Sequence, residues 1–238
     1  MAGLTDLASE GGTLKTPGLG AGIGGLSNKE IMAEARMALS GNWGMAILGY
    51  FLYAIMIFSF SFFVFASTVF VGAVSGVSGG NREAASGAMQ IVAQLVELVL
   101  SGAFMVGFAS FFLGIAQFSE TRLENLFTGF KRFGTSFGVY FFYVLFVLLW
   151  YLLLIIPGII AIYRYSMAFF IVADDEECGA LEAIRRSKEM MKGNKWKLFC
   201  LQWRFFWWGL LCMVIPIGFL WLVPYMQTSL AKFYEDVK

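Results

Sequence analysis

The sequence predicts an all-α, polytopic membrane protein of six transmembrane helices, built as three repeated helical hairpins, each preceded by a cytoplasmic amphipathic surface helix. Three observations predict it. Hydrophobic residues make up 59% of the chain and charged residues only 14%, where a soluble protein carries roughly a quarter charged. Charge-poor blocks recur at about 43–72, 88–118, 136–156, 158–173, 197–215 and 217–233; the first three reach the ~20 apolar residues a spanning helix needs, and the last three lie near the short end of the range. A short amphipathic stretch precedes each pair of blocks. The mean hydropathy of +0.73 agrees.

Residues 1–27 are rich in glycine and poor in large apolar side chains. Such a segment cannot bury enough surface to offset its ordering entropy, so a flexible tail is expected. It lacks the basic start and short apolar core of a signal peptide, so the first span is expected to direct insertion. The rest, 28–238, is expected to form the transmembrane domain, with hairpin units at about 28–118, 119–173 and 174–238.

Ser27 and Glu30 fit a capping box, with Ser27 as N-cap and Glu30 three residues on. Ile31, Ala35, Ala38 and Leu39 fall on one face of the helix that follows. Gly41 and Asn42 end it, and Trp43 stands where an interfacial aromatic belongs. The first two spans are longer than a bilayer requires, which points to tilt or a protruding stub. Thr121 and Glu124 repeat the capping signal ahead of a second surface helix, with Leu123, Leu126, Phe127 and Phe130 on its apolar face.

The central stretch is 148–175, two apolar runs meeting at Pro157-Gly158 and ending in acid. Pro157 lacks an amide hydrogen and biases Ile156 away from helix, and Gly158 tolerates a turn. A hairpin with its turn there is expected. A third amphipathic helix follows Gly179, with Ile184 and Met191 on one side and Arg185, Arg186, Glu189 and Lys192 on the other. Pro216 and Gly218 repeat the turn between the last two spans. These four residues, Pro157, Gly158, Pro216 and Gly218, are the expected hinges.

Little in the chain points to catalysis. It has no histidine, which removes the usual activated nucleophiles and the His metal sites. Phosphate loops and dinucleotide fingerprints are absent. Cys178, Cys200 and Cys212 have no metal-site spacing. The net charge of +1 gives no basic balance for nucleic acid. Asp174, Asp175, Glu176 and Glu177 could hold a hard cation, but acids leading a helix are explained by its dipole. No metal and no cofactor is expected, and the chain is read as non-enzymatic.

Two features carry the functional expectation. Glu97, Arg164 and Arg204 lie inside apolar blocks, where charge is costly and marks a candidate intramembrane polar site. Arg164 is placed near mid-depth of a short span and should point into the bundle. Glu97, turn carbonyls and water are its candidate partners. Arg185, Arg186, Lys188, Lys192, Lys195 and Lys197 form a basic surface suited to anionic lipid headgroups or a membrane-protein partner. Segments 1–42, 119–135, 174–197 and 234–238 hold nearly all the Lys and Arg, so the positive-inside rule puts both termini in the cytoplasm.

A resemblance extends this. Gly41-Asn42-Trp43-Gly44, Ile155-Ile156-Pro157-Gly158-Ile159 and Tyr165-Ser166-Met167 carry it, with Asp174, Ala183 and Ser187. The run from Met190 to Lys197 and Pro224-Tyr225-Met226-Gln227-Thr228 complete the set. Over roughly 120–238 the chain resembles a family of bacterial integral membrane proteins known only as a domain of unknown function. The resemblance implies a multi-span bacterial membrane protein and supplies no activity and no catalytic residue; the bacterial cytoplasmic (inner) membrane is the expected location. The expected role is a scaffold or accessory subunit. The rival is a small transporter or channel with Arg164 lining its path.

Overall fold

The computed structural model describes residues 25–77, 82–119 and 122–238, which are helical with no strand among them. The tail expected over 1–27 lies outside the described residues up to residue 24, as does Thr121 of the second capping signal. Helix α1, Asn28–Leu39, starts as the sequence dictates. The Ser27 amide donates to Glu30 Oε2 at 2.7 Å, and the Glu30 amide donates to Ser27 Oγ at 3.4 Å. Ile31, Ala35, Ala38 and Leu39 are fully buried. Gly41, at φ +90°, then reverses the chain in a region that glycine tolerates best.

Helices α2, Trp43–Val77, and α3, Arg82–Ala116, have 35 residues each, about 52 Å by helical rise. They outrun the other long helices, α5, Phe133–Leu153, and α9, Lys195–Val214, which have 21 and 20 residues. The second surface helix is a correction. A 3₁₀ turn, Leu123–Phe127, leads into a single α turn, α4, Thr128–Lys131. Backbone packing explains it. A Cβ added to Gly107 of α3 would run into the Leu126 carbonyl, and one on Gly129 would run into the Ala103 carbonyl. The segment is pressed backbone to backbone onto α3, and a regular surface helix does not fit there.

The turn before α6, Ile155–Tyr165, falls at Leu154 (φ −165°, ψ 149°), three residues ahead of the expected point. Pro157 sits within the first turn of α6 yet still causes the break. In a continuous helix its ring would meet the carbonyl of Leu153, four residues back, and no amide hydrogen could bond it. Gly158 has a different role from the one expected. A Cβ there would meet the Tyr151 ring at 2.6 Å, so the glycine lets α6 lie against α5. Helix α7, Ala168–Asp174, follows after a step at Ser166–Met167, and α8 is Ala180–Met190. After α9 the chain bends at Ile215, passes a 3₁₀ turn at Pro216–Gly218 and enters α10, Phe219–Val237.

Four helical stretches among the described residues are long and apolar enough to cross a membrane: Trp43–Phe70, Ile91–Ala116, Phe133–Leu153 and Ile155–Asp174. Helices α9 and α10, expected as the fifth and sixth spans, are not among them. Lys195, Lys197, Gln202 and Arg204 dilute the first, and Gln227, Thr228, Ser229 and Lys232 dilute the second.

Burial changes along the helices. One end of the molecule holds the core. There Ala103 to Ala116 of α3, Ala161 to Val172 of α6 and α7, Leu198, Leu201 and Phe205 of α9, and Ala231 to Tyr234 of α10 supply buried side chains. Toward the opposite tips the same helices expose large apolar groups, among them Phe58 to Phe70, Ile91 to Val96, Leu148 to Ile156 and Leu210 to Ile217. Leu152 is 83% exposed and Phe58 73%. Apolar surface on this scale is inconsistent with an aqueous surround.

Gly107→Ala tests the backbone contact. The added methyl must displace the Leu126 carbonyl, and a loss of about 1–3 kcal/mol is expected from such overpacking. Thermal unfolding in detergent measures it. The gain in helix propensity alone would instead raise stability by up to ~1 kcal/mol.

Candidate functional site

The polar groups of the packed end are organised by the last turns of α10. Within Lys232–Lys238 a helical repeat aims successive side chains at four different neighbours. Tyr234 donates its hydroxyl to Asp174 Oδ2 of α7 at 2.9 Å, and Lys238 pairs with the same carboxylate. Gln117, just past α3, donates to Asp174 Oδ1 at 3.2 Å and to Glu235 Oε1 at 2.9 Å. Asp236 accepts from the Leu26 amide at 2.7 Å and pairs with Lys197 of α9. Lys232 lies 3.9 Å from Glu34 of α1 and 4.6 Å from the centre of the Phe118 ring. Lys238 is held above its ordinary pKa, first by its hydrogen bond to Asp174.

The acid run is engaged in the same way. Arg132 donates to the carbonyls of Val172, Asp175 and Cys178, at 3.4, 3.0 and 3.1 Å, and so satisfies carbonyls where α7 ends. Asp175 accepts from Arg186 at 2.8 Å and from the Glu177 amide at 3.0 Å. The Arg186 hydrogen bond is the first cause of the lowered Asp175 pKa. Asp174 and Asp175, two of the four carboxylates raised as a cation site, are thus paired with basic side chains, while Glu176 and Glu177 are exposed. Among the described residues no three His, Cys, Asp or Glu side chains gather as a metal would need.

The basic surface divides in two. Glu182 accepts from Arg185 at 2.7 and 2.8 Å and from Arg186 at 2.9 Å, and Glu189 lies 3.3 Å from Arg185. The Arg185 hydrogen bonds, followed by that of Arg186, hold Glu182 down at about 2. Arg185, Arg186 and Lys197 are therefore internally compensated. Lys188 and Lys192 are exposed and Lys195 half-buried, and no ion pair engages them among the described residues. Beside them Trp196 is 72% exposed and Leu181 57%. Sequence reasoning missed Glu182, although arginines three and four residues after a glutamate are a readable pairing signal.

The intramembrane charges do not meet. Glu97 is exposed, on the part of α3 that has left the core. Arg204 is exposed at the packed end, its Nη1 3.6 Å from Met32 Sδ of α1. The Arg164 carbonyl accepts from Ser187 Oγ of α8 at 3.1 Å. Arg164 therefore lies beside α8. Its side chain is half-buried, and its Nε is buried with no hydrogen-bond partner among the described residues.

Comparison with known proteins supplies a family and no role. A family model described as "Protein of unknown function (DUF975)" matches residues 26–163 and 152–238. The match takes in the first half of the chain as well as residues 120–238. No curated protein and no solved structure matches the chain.

The Glu182 pairs give a pH prediction. The folded-state pKa is depressed, so their contribution is complete above the ordinary value near 4.5 and is lost as pH falls toward about 2. The melting temperature should lose an acid-side contribution between about pH 4.5 and 2 that Glu182→Gln lacks. Equal acid slopes for the two proteins would contradict it.

Proposed function

This chain belongs to that family, and we propose that it is a six-span protein of the bacterial cytoplasmic membrane that works without catalysis, as a scaffold or accessory subunit. In this reading the packed end faces the cytoplasm with both termini, and the tips lie toward the other side. Pairs α2–α3, α5–α6/α7 and α9–α10 form the three hairpins, introduced by α1, by the 3₁₀–α4 segment and by α8. Helices α9 and α10 cross in this reading because Thr228, Ser229 and Lys232 of α10 are buried against their neighbours and Arg204 of α9 sits at the packed end, within reach of headgroups. The glycine-rich tail 1–27 precedes a single transmembrane domain, 28–238.

One observation carries the proposal: the side chains around Asp174, Asp236 and Glu182 pair with one another, leaving an outward lysine and aromatic patch on α8 and the start of α9. Such a patch suits a surface that docks. Lys188, Lys192 and Lys195 face anionic headgroups, with Trp196 as interfacial anchor, and Leu181 faces a membrane-protein partner.

The transporter or channel reading draws support from the orphan Nε of Arg164. If that atom is only tolerated, Arg164→Leu removes a buried unpaired donor and should raise thermal stability. A conductance across planar bilayers that this variant abolishes, with stability unimpaired, would favour the rival.

The scaffold reading is tested by a photo-crosslinking residue at Leu181, activated in native membranes. A discrete protein adduct that a polar replacement of Trp196 weakens is expected. Crosslinks to lipid alone would contradict the partner role.

A further inference from the structure

An apolar groove of about 630 Å³ lies between α6, α9 and α10, and we infer that it binds one acyl chain of an anionic phospholipid whose headgroup rests on Lys195. The inference rests on the membrane reading above and adds a specific site to it. From α9, Phe199, Gln202, Phe206, Gly209 and Met213 line the groove, with Tyr163 of α6 and Leu222 of α10 opposite. The α9 residues advance by three or four positions at a time, which places them on one helical face.

Three features favour a chain with an anionic head over bulk lipid. The lining stripe continues one turn toward the packed end to Lys195, four residues before Phe199 and on the same face. Lys195 has no ion pair among the described residues, and it stands at the first turn of α9, where the helix dipole also favours an anion. From Phe199 to Met213 the stripe is about 21 Å long by helical rise, longer than the ~15 Å of one leaflet's hydrocarbon. It can therefore hold an extended chain along its whole length. Gly209 keeps the groove open. A Cβ there would meet only Leu222 Cδ2, at 3.9 Å, so the missing side chain leaves space that no neighbour fills. A glycine inside a helix costs stability relative to alanine, and nothing in the packing asks for one.

The experiment is native mass spectrometry of protein purified in mild detergent, offered phosphatidylglycerol and phosphatidylcholine with identical chains. Wild type should keep one phospholipid and favour phosphatidylglycerol by about fivefold, the worth of one cation near an anionic headgroup. Gly209→Leu should lose the adduct while melting at or above the wild-type temperature. Lys195→Gln should keep a lipid without the preference. Its readout stands even if Gly209→Leu folds poorly. A wild type that retains no lipid, a folded Gly209→Leu that retains as much as wild type, or a Lys195→Gln that keeps the preference would each overturn the assignment. These readouts are independent of the Leu181 crosslink, so failure of the scaffold role leaves them intact.

Discussion

The structure depends on how closely other backbones approach α3. Gly102 lies against the Ser136 carbonyl, Gly107 against that of Leu126, and Gly129 against that of Ala103. Side chains larger than hydrogen at these points would part the elements by ångströms. Close approach of this kind replaces hydrophobic burial as the source of specificity where the surround is itself apolar. Because α3 is fixed this way, its buried half from Ala103 to Ala116 becomes the post on which α2, α5, α7 and α10 stand. Its end then delivers Gln117 to Asp174 and Glu235.

From that packed end the molecule presents two different surfaces. The tips are apolar almost throughout, with the α2–α3 pair reaching well past the shorter helices. The packed end is polar and closely paired, with α10 reaching α1, α3, α7 and α9 through its last seven residues. Exposed pairs of this sort contribute little singly. The Asp174 and Asp236 pairs differ, because each carboxylate also accepts neutral donors and is mostly buried. Charge complementarity around Asp174, Asp236 and Glu182 is thus satisfied inside the protein, while Lys188, Lys192 and Trp196 stay exposed for outside contacts.

Legibility in the sequence followed range. Local signals were reliable: the Ser27–Glu30 cap, the buried face of α1 and the break caused by Pro157 were all readable. The break's position was not, because a proline excludes helix hydrogen bonding four residues back and the chain can bend anywhere in that interval. The segment after Thr121 looked like a surface helix because its apolar spacing says nothing about a glycine face on α3. The Asp174 cluster was invisible, since its partners are 57 and 60 residues distant and nothing local marks Gln117 or Tyr234. Arg164 shows the same limit, since nothing in its own helix marks the Ser187 hydroxyl of α8, 23 residues on, that its carbonyl accepts.

The central claim is that the packed end and the tips lie on opposite sides of a bilayer. Single cysteines at Lys188, on the packed end, and at Arg82, where α3 begins, can be placed in a chain with Cys178, Cys200 and Cys212 replaced by serine. Labelling by a membrane-impermeant maleimide in sealed, right-side-out vesicles then reads the side of each. The Arg82→Cys position should label from outside, and Lys188→Cys only after permeabilisation. Labelling of both from the same side would contradict the account.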